Sequence, residues 1–222
     1  MSESSRLIAR RSSGADGLPY LLFVPRQAVA AERTTPPYLL FLHGAGERGH
    51  DLALVRQHGP PRLIGEGMEL PFVVVAPQCP PDQRWSTQAL LALLDETTHE
   101  QRVDPDRVFV TGISMGGFAT WALAIAAPER FAAIVPICGG GDPRAVCRIG
   151  RLPVWAFHGA RDDVVPLARS QEMVEALRGC GGDVRFTVYP EAGHDSWTPT
   201  YANPELFDWL LAQRRPPAPD HT

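Results

Sequence analysis

The chain has 222 residues, 44% of them hydrophobic, enough for a sizeable core and against wholesale disorder. A net charge of −4 leaves no basic footprint for nucleic acid and no polybasic patch for anionic lipid. No apolar run approaches the roughly 18 residues of a membrane span, and "MSESSRLIARRSSG" lacks the apolar centre of a secretory signal, so a cytoplasmic location is expected.

Short apolar runs recur at 6–11, 20–25, 38–43, 72–76, 107–112, 133–138, 154–158 and 184–189. The first two, joined by the tight "SSGADGLP", are expected to form an antiparallel hairpin at one sheet edge. The later runs are nearly continuous in Val, Ile, Leu and Phe, as in strands covered on both faces of a parallel sheet. Helices are expected between them: at 87–102 behind the cap Ser86, and at 115–128, stopped by Pro128. Two more follow, at 166–182, opened by Pro166 and closed at Gly179, and at 203–215, capped by Asn203. This alternation predicts a doubly wound, eight-stranded, mostly parallel sheet. It fits a single domain over residues 1–215, with the Pro-rich tail 216–222 expected to be disordered.

Cys79, Cys138, Cys147 and Cys180 show no metal-ligand spacing, so no zinc site is expected and the four read as free thiols. A Cys138–Cys147 bridge is conceivable but not expected, because spacing alone does not supply disulfide geometry.

"RVFVTGISMGGFATWALA" reads as strand, tight turn and helix, with Ser114 at the turn. Small residues two before and two after it suit a strained backbone that lifts the hydroxyl above the carboxyl edge of the sheet. A hydroxyl is a poor nucleophile without a base, and the base needs an orienting acid. Of seven histidines, His50, His58, His99 and His221 read as solvated, and His43 and His158, each ending an apolar run before a glycine, read as structural turn residues. His194, in the loop after the last strand, is the candidate base. Asp162, Asp163 and Asp142 follow the two preceding strands. Only one of the adjacent pair can orient His194, and Asp162 is preferred.

The order Ser114, Asp162, His194 within "GISMGG", "HGARDDVVP" and "GHDSW" resembles the α/β-hydrolase superfamily over residues 20–213. Its small serine carboxylesterases are most similar, near the phospholipase/carboxylesterase, dienelactone-hydrolase-like and polyhydroxybutyrate-depolymerase-like branches, the last including predicted peptidases. The resemblance places the acid of H-G-x-x-D-x-x-V-P on Asp162. Dienelactone hydrolases proper use a cysteine where Ser114 stands, which argues against that activity.

Gly44, Gly46 and Gly49 match G-x-G-x-x-G, but "DLALVRQHGPP" is broken early by Gly59 and two prolines. No acidic residue closes the next strand, so no dinucleotide cofactor is expected, and a phosphate loop is excluded for want of its lysine. Acyl transfer needs two amides aimed at the developing oxyanion. Met115 N–H is one, and by resemblance Ala45 N–H is the other, with a Glu47–Arg48 salt bridge expected to brace the loop. The resemblance also implies no lid, since "GGGDPRAVCRIGRLP" at 139–153 is short where such folds insert one. Trp85 and Trp197, on loops at the same edge, are candidate pocket walls, whereas Trp121, Trp155 and Trp209 read as core. The expected activity is cofactor- and metal-free hydrolysis of short-acyl or small soluble esters. The alternatives are a prolyl-oligopeptidase-type serine peptidase and a non-enzymatic binding module.

Overall fold

Alternation in apolar side chains decides the architecture. The computed structural model describes residues 7–13, 17–26 and 35–215. The tail 216–222 and part of the first hairpin turn lie outside the described residues. Among the described residues eight strands form one sheet: β1 (Ile8–Arg11), β2 (Pro19–Phe23), β3 (Tyr38–Leu42), β4 (Val73–Pro77), β5 (Val108–Ile113), β6 (Ala133–Ile137), β7 (Val154–Gly159) and β8 (Val184–Tyr189). Their order is β1-β2-β4-β3-β5-β6-β7-β8. β1 and β2 pair antiparallel, as do β2 and β4, and the remaining pairs are parallel. The expected edge hairpin is therefore present.

Successive strand residues point to opposite faces. Tyr38, Leu40 and Leu42 of β3 enter one core layer, while Leu39 and Phe41 enter the other. Each layer is roofed by helices. α1 (Gly59–Gly65), α5 (Trp197–Ala202) and α6 (Pro204–Ala212) cover the Leu39 face. α2 (Thr87–Glu100), α3 (Met115–Ala126) and α4 (Ala168–Gly179) cover the Tyr38 face. Burying each large side chain contributes on the order of 2 kcal/mol. Trp121 and Trp155 are fully buried, and Trp209 packs against the second layer from its rim.

Ser86 Oγ accepts from the Ala89 amide at the start of α2, and Asn203 Oδ1 accepts from the Glu205 amide at the start of α6. Two helices were not visible in the sequence. α1 begins where Gly59 and two prolines were read as a break, because proline costs no hydrogen bond in a first turn. Gly59 adopts φ 60°, and a side chain there would strike the Phe41 ring. α5 contains Pro199 and is held by Asp195, whose carboxylate accepts from the Thr198 amide and hydroxyl.

The cysteine reading is corrected: Cys147, in the short turn Val146–Ile149, is bridged to Cys180 at the end of α4, with their Cα atoms 5.6 Å apart. The β6–β7 connection folds back over α4, a long-range contact that spacing does not reveal. Cys79 and Cys138 are free and buried. Residues 138–153 hold only that short turn, and no lid domain stands over the sheet edge among the described residues. No helix among the described residues is long and apolar enough to cross a membrane.

Candidate active site

The carboxyl ends of β3, β5, β6, β7 and β8 deliver their loops to one rim. At the centre, β5 runs directly into α3 through Ser114, whose backbone sits at φ 51°, ψ −115°. This is a left-handed conformation that costs a non-glycine residue of order 1–3 kcal/mol. It persists because its surroundings leave no alternative. Ser114 N–H donates to the Ile137 carbonyl of β6 at 3.0 Å, and Ser114 C=O accepts from the Phe118 amide at 3.1 Å. A side chain at Gly112 would run into the Gly116 carbonyl, and one at Gly116 into the Leu42 carbonyl.

His194, from the loop between β8 and α5, faces the hydroxyl. Ser114 Oγ lies 3.0 Å from His194 Nε2, and His194 Nδ1 lies 2.8 Å from Asp162 Oδ2. The carboxylate can only accept, which places the proton on Nδ1 and leaves Nε2 to accept from the hydroxyl. Asp162 follows β7, and its side chain is fully buried. Its Oδ1 accepts from the Val164 and Val165 amides at 2.9 and 2.8 Å. Burial opposes ionisation, but the hydrogen bonds from His194, Val165 and Val164 outweigh it and hold the carboxyl below its usual range. Asp163 is exposed, and Asp142 is an exposed turn residue accepting from the Arg144 amide.

Ala45 and Met115 line the same cleft as Ser114, a space of about 360 Å³ completed by Arg48, Arg84, Trp85, Phe118, Ala119 and Ala122. The loop carrying Ala45 is braced from several sides, in part by Gln78, which the sequence did not single out. Buried Gln78 donates to the carbonyls of Glu47 and Asp51 at 2.9 and 2.8 Å. Arg48 Nε donates to the Ala45 carbonyl at 2.9 Å. Trp85 Nε1 donates to the His43 carbonyl, and its ring lies 4.7 Å from the His43 ring. The His43 Nδ1–H donates to the Gly44 carbonyl while Nε2 accepts from the Cys79 amide. Burial pushes this ring down to about 4, so it stays neutral.

Three expectations change here. Glu47 does not pair with Arg48; its buried carboxylate lies 3.8 Å from His43 Nδ1 and 3.6 Å from His58 Nε2. His58 is thus part of the site's support rather than a solvated residue. Trp197 lines no part of the Ser114 cleft. It packs edge-on against His194 at 5.2 Å and against His58 at 5.4 Å, lining a smaller depression between α1 and α5. Cys138, just past β6, backs the site: among the described residues its sulfur and the ligand atoms of Asp162 and His194 lie within 4.8 Å of one another. Asp162 and His194 already bond to each other, and burial pushes the thiol up to about 12, so the set is poorly suited to a metal ion.

A doubly wound sheet in this strand order, with a serine turn between its central strand and a helix, is the α/β-hydrolase fold. The dienelactone hydrolase family profile matches residues 81–202, more than half of the chain, and the chain belongs to that family. A solved structure described as a thermostable esterase superposes with a TM-score of 0.81 at 37% identity, covering 94% of this chain and 63% of that one. Acyl-protein thioesterase 1 of Gibberella zeae is 24% identical over 219 residues, covering 82% of this chain and 90% of that protein. A bifunctional acetylxylan esterase/xylanase of Neocallimastix patriciarum is 29% identical over 187 residues, 78% of this chain. The chain spans only 26% of that protein's length, and 43% of a further relative from Methylorubrum extorquens.

Proposed function

We propose that the protein is a serine carboxylesterase that hydrolyses short-acyl or other small soluble esters through an acyl-enzyme. The observation that carries the reading is the unbroken chain from Ser114 Oγ to His194 to Asp162 at the floor of an open cleft. His194 takes the Ser114 proton as the oxygen attacks the ester carbonyl, and Asp162 orients the ring and stabilises its charged form. The amides of Ala45 and Met115 hold the oxyanion, a contribution of about 3 kcal/mol for each donor. The protonated His194 releases the alcohol, and water activated by the same ring frees the acid. No step draws on a metal or organic cofactor.

The absence of a lid domain and the modest cleft favour small substrates. Serine in place of the cysteine used by dienelactone hydrolases argues against that activity despite the shared family. The Cys147–Cys180 bridge bears on setting, because disulfides are rare in the cytoplasm. The cytoplasmic location read from the sequence therefore stays a proposal with this feature against it.

Fluorophosphonate labelling of wild type and Ser114→Ala, with a panel of p-nitrophenyl esters from acetate to palmitate, tests the reading. Labelling at Ser114 and a rate maximum at two to about six acyl carbons are expected. Cleavage of a chromogenic peptide in preference to every ester would replace the esterase with a peptidase. Absence of labelling would leave a binding module.

A further inference from the structure

The run of close polar contacts does not stop at Asp162. Beyond it lies a second histidine, His158 of β7, whose Nε2 is 3.2 Å from Asp162 Oδ2 and 2.9 Å from the Val165 carbonyl. Its Nδ1 is 2.7 Å from Ser170 Oγ on α4, which in turn is 2.8 Å from the Gly139 carbonyl just past β6. The His158 and Asp162 side chains are both wholly shielded from solvent. Acyl transfer as written above has no use for His158, yet three elements converge on it.

Proton accounting places one hydrogen of the ring. Nε2 faces two atoms that can only accept, so it carries a proton. Burial disfavours the charged ring, against the opposing pull of the Val165 carbonyl and the Asp162 charge. The Ser170 hydroxyl donates to the Gly139 carbonyl and abuts Nδ1, tying that side of the ring to the end of β6. Gly139 abuts α3, since a side chain there would run into Gly117. The ring is thereby tied to the loop carrying the acid and, through Ser170 and Gly139, to the helix that starts at the nucleophile.

We propose that His158 is a positioning residue for Asp162: its Nε2–H donates to Oδ2, the oxygen that also accepts from His194, holding that oxygen in line and drawing off part of its charge. The proposal rests on the acyl-transfer reading of the site and deepens it. Asp162 then has four donors around it, two amides on Oδ1 and two imidazoles on Oδ2, the His158 N–H being shared with the Val165 carbonyl. A carboxylate stripped of one donor binds protons more readily. Removing the His158 donor therefore makes the Asp162–His194 pair take up its proton at higher pH, and the acid side of the rate profile moves up. The titratable groups facing the pair are His158 from β7 and Cys138 beyond β6, with Asp195 farther out on the His194 loop. The neighbouring Asp163 points to solvent.

His158→Met removes the donor, whereas His158→Gln keeps an amide N–H close to the place of Nε2. The two variants and wild type are compared by histidine ring signals in NMR across pH, which needs no turnover, and by kcat and KM on p-nitrophenyl acetate. His158→Met is expected to raise the titration of the pair by about one unit and to lower kcat about tenfold, with KM within about twofold. His158→Gln is expected to restore most of both. Should His158→Met fail to fold, His158→Asn, whose amide reaches Ser170 but not Asp162, should show the same upward shift. Wild-type titration in the Met or Asn variant, or an equal shift in the Gln variant, overturns the proposal. Failure of the esterase reading shows up separately, as an unlabelled wild-type Ser114, while the titration comparison stays readable.

Discussion

The Asp162–Asp163 pair isolates what one side chain does. The first is fully buried with its carboxylate on His194, and the second is exposed one residue away. Asp162→Asn is therefore expected to lower kcat by about 10³ to 10⁴, while Asp163→Asn stays within about twofold, measured on p-nitrophenyl acetate. Motif context made Ser114, His194 and Asp162 readable in the sequence, because each sits at a fixed offset from a strand end. Gln78, His58 and His158 carry no such mark. Their roles come from what the fold sets opposite them: His158 before its glycine reads only as a structural turn residue, and the polar loop around His58 fits a solvated one. His43 supplies a pH signature of its own. The unfolded ring takes up a proton near 6.5, and the folded one resists it down to about 4. Unfolded chains thus bind more protons in that window, so stability is full above pH 6.5 and falls as pH drops towards 4. The loss attributable to this ring approaches about 3 kcal/mol. Urea midpoints recorded from pH 7 to 4 should decline accordingly.

At the scale of elements, the β5–α3 turn is a packing solution as much as a chemical one. Gly116 lets the first turn of α3 touch the end of β3, where a methyl group would meet the Leu42 carbonyl. Gly46, in the loop carrying Ala45, has open space around it. Gly116→Ala is expected to destabilise by about 3 kcal/mol or more and to abolish fluorophosphonate labelling. Gly46→Ala should label normally and melt within a few degrees of wild type. All eight strands and four of the helices were readable from periodicity and caps. α1 was hidden by its two prolines, which read as breakers although they sit in a first turn, and the short α5 by its place in a polar loop. Trp197, read as a loop residue that would wall the cleft, stands on α5 with its ring edge-on to His194.

At the scale of the whole molecule, the Cys147–Cys180 link ties the β6–β7 connection to the end of α4 across 33 residues. Closing a loop of that length in the unfolded chain is worth about 3–4 kcal/mol in the chain-entropy account. Guanidinium midpoints with and without reductant should differ by that amount, and Cys147→Ser should match the reduced protein. No sequence spacing foretold the pairing, because it depends on how a crossover is routed in three dimensions. Substrate identity stayed equally out of reach, since cleft walls such as Arg84, Trp85 and Phe118 are assembled from separate loops and a helix.

The two sides of the Ser114–His194 contact are anchored unequally. Ser114 grows from a β5 whose residues are all buried, whereas His194 hangs from β8, the sheet's last strand, in which no residue is fully buried. Fraying of that margin would swing the imidazole away while the interior stays intact. Heat should therefore silence the enzyme reversibly several degrees before its calorimetric transition, with amide exchange fastest along 184–196.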